Sequence, residues 1–310
     1  MTLFLKRACL FSLPIIVTAV CLEVYIKSSE SAYLLKSSYF KGQEYEGIVL
    51  GSSHNQNAIN PEYFSMKTCN VAMGSQDLKT DLLLLKKSIE HNPNLKYVIL
   101  EMSYHRFREN PKNYWRNSIN EYFYDINVSK EVNFSKYFLL SSNLKFFRNF
   151  FGQILSSRKH VYNYNQFGFD KNDFDGIFKQ MNYDEKKIIQ TAKKRLRSNN
   201  RSGPDSLVIL RAVSYLKKIN EICIKNNIRL VLVAPPVYKT YSNEFREFNL
   251  NRRSKIIDLL YKVNPNLLWL NFEKSNSFNI NHFKNDDHLN ANGARLFTTM
   301  LNDSLKQLNR

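Results

Sequence analysis

The chain has 310 residues, 43% apolar, 14% aromatic and 23% charged, a balance that supports a packed core and excludes wholesale disorder, a collagen-like repeat and a multi-span membrane protein. Lysine and arginine total 45 against 27 acidic residues, so the net charge is +18 and the chain calls for anionic surroundings: nucleic acid, phospholipid headgroups or an acidic polymer. Cys9, Cys21, Cys69 and Cys223 are too few and too scattered for a disulfide framework, with a Cys69–Cys223 bridge left open for an exported domain.

The first 27 residues stand apart from the rest. Lys6 and Arg7 precede an apolar run from Ala8 to Leu22, which Val24, Tyr25 and Ile26 extend past Glu23 before Lys27 opens a polar stretch. Such a segment is an export signal or a single-pass anchor, and the lack of a small-x-small cleavage site favours the uncleaved anchor. With the basic pair on its N-terminal side, the positive-inside rule places residues 28–310 outside the cytoplasm. That placement makes the membrane the expected contact of residues 1–27 and weighs against nucleic acid as the partner of the positive charge.

Beyond the anchor, apolar β-branched runs alternate with helical periodicity. The spacing predicts strands at Gly47–Leu50, Cys69–Met73, Tyr97–Leu100, Arg229–Ala234 and Leu267–Phe272, and helices at Leu78–His91, Leu207–Asn226, about Asn243–Val263 and Asn290 to about Leu308. Strands alternating with helices make an α/β domain over 28–310, a parallel sheet with helices on both faces. The alternation lapses between Met102 and Pro204, where Tyr114-Trp115-Arg116, Phe146-Phe147-Arg148-Asn149-Phe150-Phe151 and Tyr162-Asn163-Tyr164 concentrate aromatic and basic residues. Residues 104–205 therefore read as an inserted, partly helical subdomain, either a second small core or a lid whose aromatic faces stack on sugar rings. Within it, Lys186, Lys187, Lys193, Lys194, Arg195, Arg197 and Arg201 form a basic helical run, a solvated face or a contact for headgroups or a polyanion.

Candidate chemistry lies where strands end, since open α/β sheets build sites at the carboxyl edge. Gly51-Ser52-Ser53-His54 follows the first strand and Asn285-Asp286-Asp287-His288-Leu289-Asn290 precedes the last helix, so a serine, a histidine and a carboxylate can converge from opposite ends of the chain. A serine needs a base to take its proton, and the imidazole needs an acceptor on its other nitrogen to hold the tautomer. His54 is either substrate-facing or a packing residue. No glycine-rich phosphate loop follows the first strand and no His/Cys/Asp group has metal-ligand spacing, so neither cofactor nor metal is expected.

These blocks resemble the SGNH, or GDSL-type, hydrolases, especially their membrane-anchored bacterial relatives that act on envelope glycans. Ile48-Val49-Leu50-Gly51-Ser52-Ser53-His54 is similar to the family's strand and nucleophile turn, Asn70-Val71-Ala72-Met73-Gly74-Ser75 to its second block, and Asp287-His288-Leu289-Asn290-Ala291-Asn292-Gly293-Ala294 to its ending. The resemblance spans residues 45 to 308 without the middle insert and implies a flavodoxin-like sheet. It implies Ser53 as nucleophile, His288 as base, Asp287 or Asp286 as its supporting acid, and the N–H groups of Ser53 and Gly74 as oxyanion donors. The implied activity is hydrolysis or transfer of an ester-linked acyl group, most plausibly acetyl, on an envelope polysaccharide or other acylated glycan, with a membrane acyl-donor partner in the transfer case. A non-catalytic glycan-binding or assembly protein that keeps the fold is the competing reading, and a polyanion binder the third. The sequence departs from the family twice. Asn285 stands three residues before the histidine, where the family places its acid, and the third strand runs into Glu101-Met102-Ser103-Tyr104-His105 rather than an asparagine donor, leaving Ser103 as a substitute.

Overall fold

The computed structural model describes residues 2–107, 114–128, 137–138, 163–172, 176–200 and 206–307. The aromatic run 146–151, Tyr162 and Arg201 lie outside the described residues, and only the backbone of Tyr114-Trp115-Arg116 and Arg197 is described.

The N-terminal apolar segment is one helix, α1 (Thr2–Ser28), which continues past Glu23 because Lys27 meets that carboxylate one turn on, at 3.5 Å. Its stretch Leu3–Ser28 is long and apolar enough to cross a membrane or to be a signal anchor. At 1.5 Å per residue it reaches about 39 Å, more than a hydrocarbon layer of roughly 30 Å requires.

The rest follows in chain order as α2 (Ala32–Gly42), β1 (Gly47–Leu50), α3 (Ser53–Ala58), β2 (Thr68–Asn70), α4 (Leu78–His91), β3 (Tyr97–Glu101), α5 (Tyr114–Tyr124), α6 (Ile177–Gln180), α7 (Glu185–Asn200), α8 (Ser206–Lys225), β4 (Arg229–Ala234), α9 (Lys239–Ser242), α10 (Glu247–Tyr261), β5 (Leu268–Asn271), the hairpin strands β6 (Phe283–Asn285) and β7 (His288–Leu289), and α11 (Ala291–Gln307). The five main strands form one sheet in the order β2-β1-β3-β4-β5 with every neighbouring pair parallel. This is a flavodoxin-like order, whose switch point lies between β1 and β3.

The two-residue period of a strand divides the core. Ile48, Leu50, Val98, Leu100, Leu230 and Leu232 face one way, against Leu82 and Leu85 of α4, Leu216 and Ile219 of α8, and Ile256, Ile257 and Leu260 of α10. Val49, Ile99, Val231 and Val233 face the other way, against Ala58 of α3 and Phe297, Leu301 and Leu305 of α11. Helices thus cover both faces. Within the expected insert, Ile119, Phe123 and Tyr124 of α5 join the first of these clusters, and Phe178 and Ile188 join the second. Cys69 and Cys223 are buried free thiols, so the bridge left open by the sequence does not form.

Two elements differ from their expected bounds by more than one residue. β2 stops at Asn70, although the N–H groups of Val71 and Met73 still reach the carbonyls of Val49 and Gly51 at 3.0 and 3.2 Å. The helix expected over 243–263 begins only at Glu247, as α10, and the short α9 ends just before the expected range, at Ser242. At the break between them the Tyr104 hydroxyl accepts the Arg246 N–H at 3.0 Å and an Asn249 amide N–H at 2.8 Å, holding Arg246 extended.

Candidate active site

β1 delivers its chain to the carboxyl edge through Gly51, whose φ of 138° lies in the region that favours glycine. A Cβ there would stand 2.5 Å from the Glu101 Cβ, so the close approach of the two strand ends requires glycine as well. The turn is tied down by the Asp81 carboxylate, which accepts the Gly51 N–H at 3.0 Å and the Gln76 amide at 2.7 Å and pairs with Arg106. Ser52 then caps α3, but the acceptor for the helix start comes from Glu101 at the end of β3. That carboxylate takes the Ser52 N–H at 2.6 Å, the Ser52 hydroxyl at 2.8 Å and the Asn55 N–H at 3.4 Å. Burial opposes the charge of Glu101, yet His54, His105 and the Ser52 bonds outweigh it and hold the carboxyl below its usual range.

Ser53 is the first residue of α3, where a backbone N–H has no partner within the helix. Its hydroxyl lies 2.8 Å from His288 Nε2. The histidine arrives on the β6–β7 hairpin, in which Asp286 and Asp287 make the two-residue turn and Asn285 pairs with His288 across it. Asn285 shapes this turn through its Oδ1, which accepts the N–H groups of Asp287 at 3.1 Å and His288 at 2.9 Å. The same oxygen lies 3.0 Å from His288 Nδ1, and Asp287 Oδ1 lies 2.9 Å from it. Both neighbours can only accept, so the proton sits on Nδ1 and the Nε2 lone pair faces Ser53.

The structure therefore brings Ser53, His288 and Asp287 together and turns Asp286 away. In an extended segment Asp286 would share a side with His288. The tight turn reverses that expectation, and Asp286 Oδ1 accepts the Thr191 hydroxyl at 3.2 Å while its carbonyl takes the Tyr238 N–H at 2.9 Å. Burial raises the Asp286 carboxyl above its ordinary range. The Gly74 N–H is used by the Gln56 side-chain oxygen at 2.7 Å, so Gln56 must swing aside before that donor can meet an oxyanion. Ser103 is buried, and its hydroxyl makes no hydrogen bond among the described residues.

Three further residues surround the site. Arg195 of α7 pairs with Asp287 Oδ1, the oxygen that meets His288. His54 is only 4% exposed and packs between two other imidazoles, its ring centroid 4.3 Å from that of His105 and 5.0 Å from that of His288. It is a buried ring rather than a surface one, and its Nε2 lies 3.5 Å from Asp287 Oδ2. Desolvation lowers the pKa of both His54 and His288, and for His288 the neighbouring His54, Lys284 and Arg195 lower it further. His288 is accordingly neutral at neutral pH, the form that can accept a proton.

Among the described residues two groups, His54/Asp287/His288 and His54/Glu101/His105, have one ligand atom per residue within 4.8 Å of one another, although their spacing along the chain carries no metal pattern. Sequence reasoning assigned no role to Glu101, His105 or Gln56. A carboxylate closing an otherwise apolar, fully buried strand was the available signal for Glu101; nothing in the sequence pointed to Gln56 or paired Arg195 with Asp287.

No protein-family model and no curated protein matches the chain. Among solved structures, the chain is similar to a Streptococcus pneumonia protein described provisionally as a platelet activating factor, at 9% identity and a TM-score of 0.43, over 94% of this chain and 98% of that one.

Proposed function

We propose that this chain is a serine esterase or O-acyltransferase of SGNH type, anchored by α1 with residues 28–310 outside the cytoplasm of a bacterial cell, and that its substrate is an acetylated envelope polysaccharide. The observation that carries the reading is the Ser53 Oγ to His288 Nε2 contact of 2.8 Å, backed at Nδ1 by Asp287 at 2.9 Å. Ser53 Oγ attacks the acyl carbonyl as its proton passes to His288 Nε2. The tetrahedral oxyanion meets the Ser53 N–H and, once Gln56 has moved, the Gly74 N–H. Collapse returns the proton from His288 to the leaving alcohol oxygen and leaves the acyl group on Ser53. Water or an acceptor hydroxyl, deprotonated by the same histidine, then takes the acyl group and restores the serine. Asp287 stabilises the imidazolium of both steps, while Asn285 adds orientation without charge.

The test is incubation of the full-length chain in detergent with an aryl acetate, followed by phenol release and by mass spectrometry of the peptide bearing Ser53. Turnover with an acetyl adduct on Ser53 is expected. Neither turnover nor adduct would overturn the enzymatic reading in favour of a glycan-binding protein that keeps the fold.

The lowered pKa of His288 sets the pH dependence. The base works only when neutral, so kcat/KM holds its plateau down through the ordinary histidine value of 6.5 and falls at lower pH. Arg195 disfavours the imidazolium by its charge and by its hold on Asp287. Arg195→Gln should therefore move the acidic limb of the profile upward, and a pH–rate series of the two proteins measures it.

Topology is tested separately. A reporter fused after Arg310 should be active only outside the cytoplasm, and the chain should stay with membranes through a high-salt wash; a cytoplasmic signal would sink the orientation.

A further inference from the structure

We infer that His54, Glu101 and His105 form a binding site for a divalent transition metal of the zinc class, beside Ser53 and separate from the Ser53–His288 pair. Glu101 is fully buried and His54 nearly so, and the ligand atoms of the three residues lie within 4.8 Å of one another. His105 Nε2 is 3.6 Å from Glu101 Oε1, and the Ser52 hydroxyl is 3.4 Å from the same nitrogen. Ligands at about 2.0–2.2 Å around a tetrahedral ion are separated from each other by roughly 3.4 Å. The His105–Glu101 distance is near that edge already, and the His54 ligand atom lies within 4.8 Å of both partners.

A second observation points to a ligand. His54 Nδ1 is buried and makes no hydrogen bond, although a ring nitrogen taken out of water normally has a partner. Its other nitrogen faces Asp287. Two imidazoles and one carboxylate select Zn²⁺ and its neighbours, since Mg²⁺ and Ca²⁺ take oxygen ligands. The fourth position falls to water or to the Ser52 hydroxyl, which already touches two of the three ligands.

The site does not depend on Ser53 being a nucleophile, so it is tested by binding rather than by turnover. The untagged full-length chain, purified through chelator in detergent, is titrated with Co²⁺ and with Zn²⁺ against a competing chelator. One equivalent is expected, with the intense visible absorption of four-coordinate cobalt. His105→Ala should weaken binding by about 100-fold or more. His105 is the partly exposed ligand, so the variant should fold, and His105→Gln provides a second version with a side chain of similar reach. His288→Ala should leave the affinity close to that of the parent. No stoichiometric binding by the folded parent would overturn the inference. So would binding that survives both His105 variants and disappears in His288→Ala, because the metal would then belong to the His54/Asp287/His288 group.

Discussion

Ser53→Ala is expected to lower turnover of an aryl acetate by about 10⁶-fold, with no change in the thermal transition, because it removes the attacking oxygen and no core contact. Both kcat and kcat/KM should fall together, as the lost interaction is with the reacting carbon. Ser52→Ala is the control that the geometry makes informative. The Ser52 hydroxyl points into Glu101, at 2.8 and 2.9 Å from its two oxygens, rather than toward His288. Its loss removes one hydrogen bond to a buried carboxylate and should cost about 1–2 kcal/mol of stability while leaving turnover within about tenfold of the parent. A folded Ser52→Ala protein without activity, next to an active Ser53→Ala protein, would reverse the nucleophile assignment.

The second large effect separates the residues of the hairpin. Asp287→Ala should reduce kcat by about 10⁴-fold, since the imidazolium that forms as His288 takes the serine proton then lacks the carboxylate that meets its Nδ1. Asp286→Asn should stay near the parental rate, because Asp286 bonds to Thr191 and Tyr238 and not to His288. Asn285→Ala should fall between them: it removes one acceptor from His288 Nδ1 and the side-chain oxygen that holds two N–H groups of the turn. Single-turnover acylation rates measured on the three variants decide the order. A near-parental rate for Asp287→Ala would refute a carboxylate-supported imidazole and leave Asn285 as the partner of His288. Arg195 enters this comparison because it competes for Asp287 Oδ1; combining Arg195→Gln with Asp287→Ala should cancel the shift of the acidic limb seen with Arg195→Gln alone.

The centre of the sheet was legible because β1, β3 and β4 are short, rich in β-branched residues and buried on both faces, so each appears in the sequence as a continuous apolar run. So was α4, whose apolar spacing and terminal Pro93 locate Leu78–His91 within the chain. The β6–β7 hairpin was not legible as structure. Its strands have three and two residues, too few for an alternation to register, and its turn is built by the Asn285 side chain rather than by glycine.

By itself, then, the sequence determined the α/β class, the apolar N-terminal helix and the two strand-end segments that carry Ser53 and His288, since periodicity and polarity act locally and leave a mark in neighbouring residues. The tertiary structure alone decided which carboxylate meets the imidazole, that Gln56 holds the Gly74 N–H, that Glu101 rather than a local side chain caps α3, and that Arg195 reaches Asp287. Each of these is a contact between elements distant in the chain or a consequence of turn geometry. Such contacts are set by where the sheet edge places side chains within a few ångströms of one another, a distance that one-dimensional spacing does not encode.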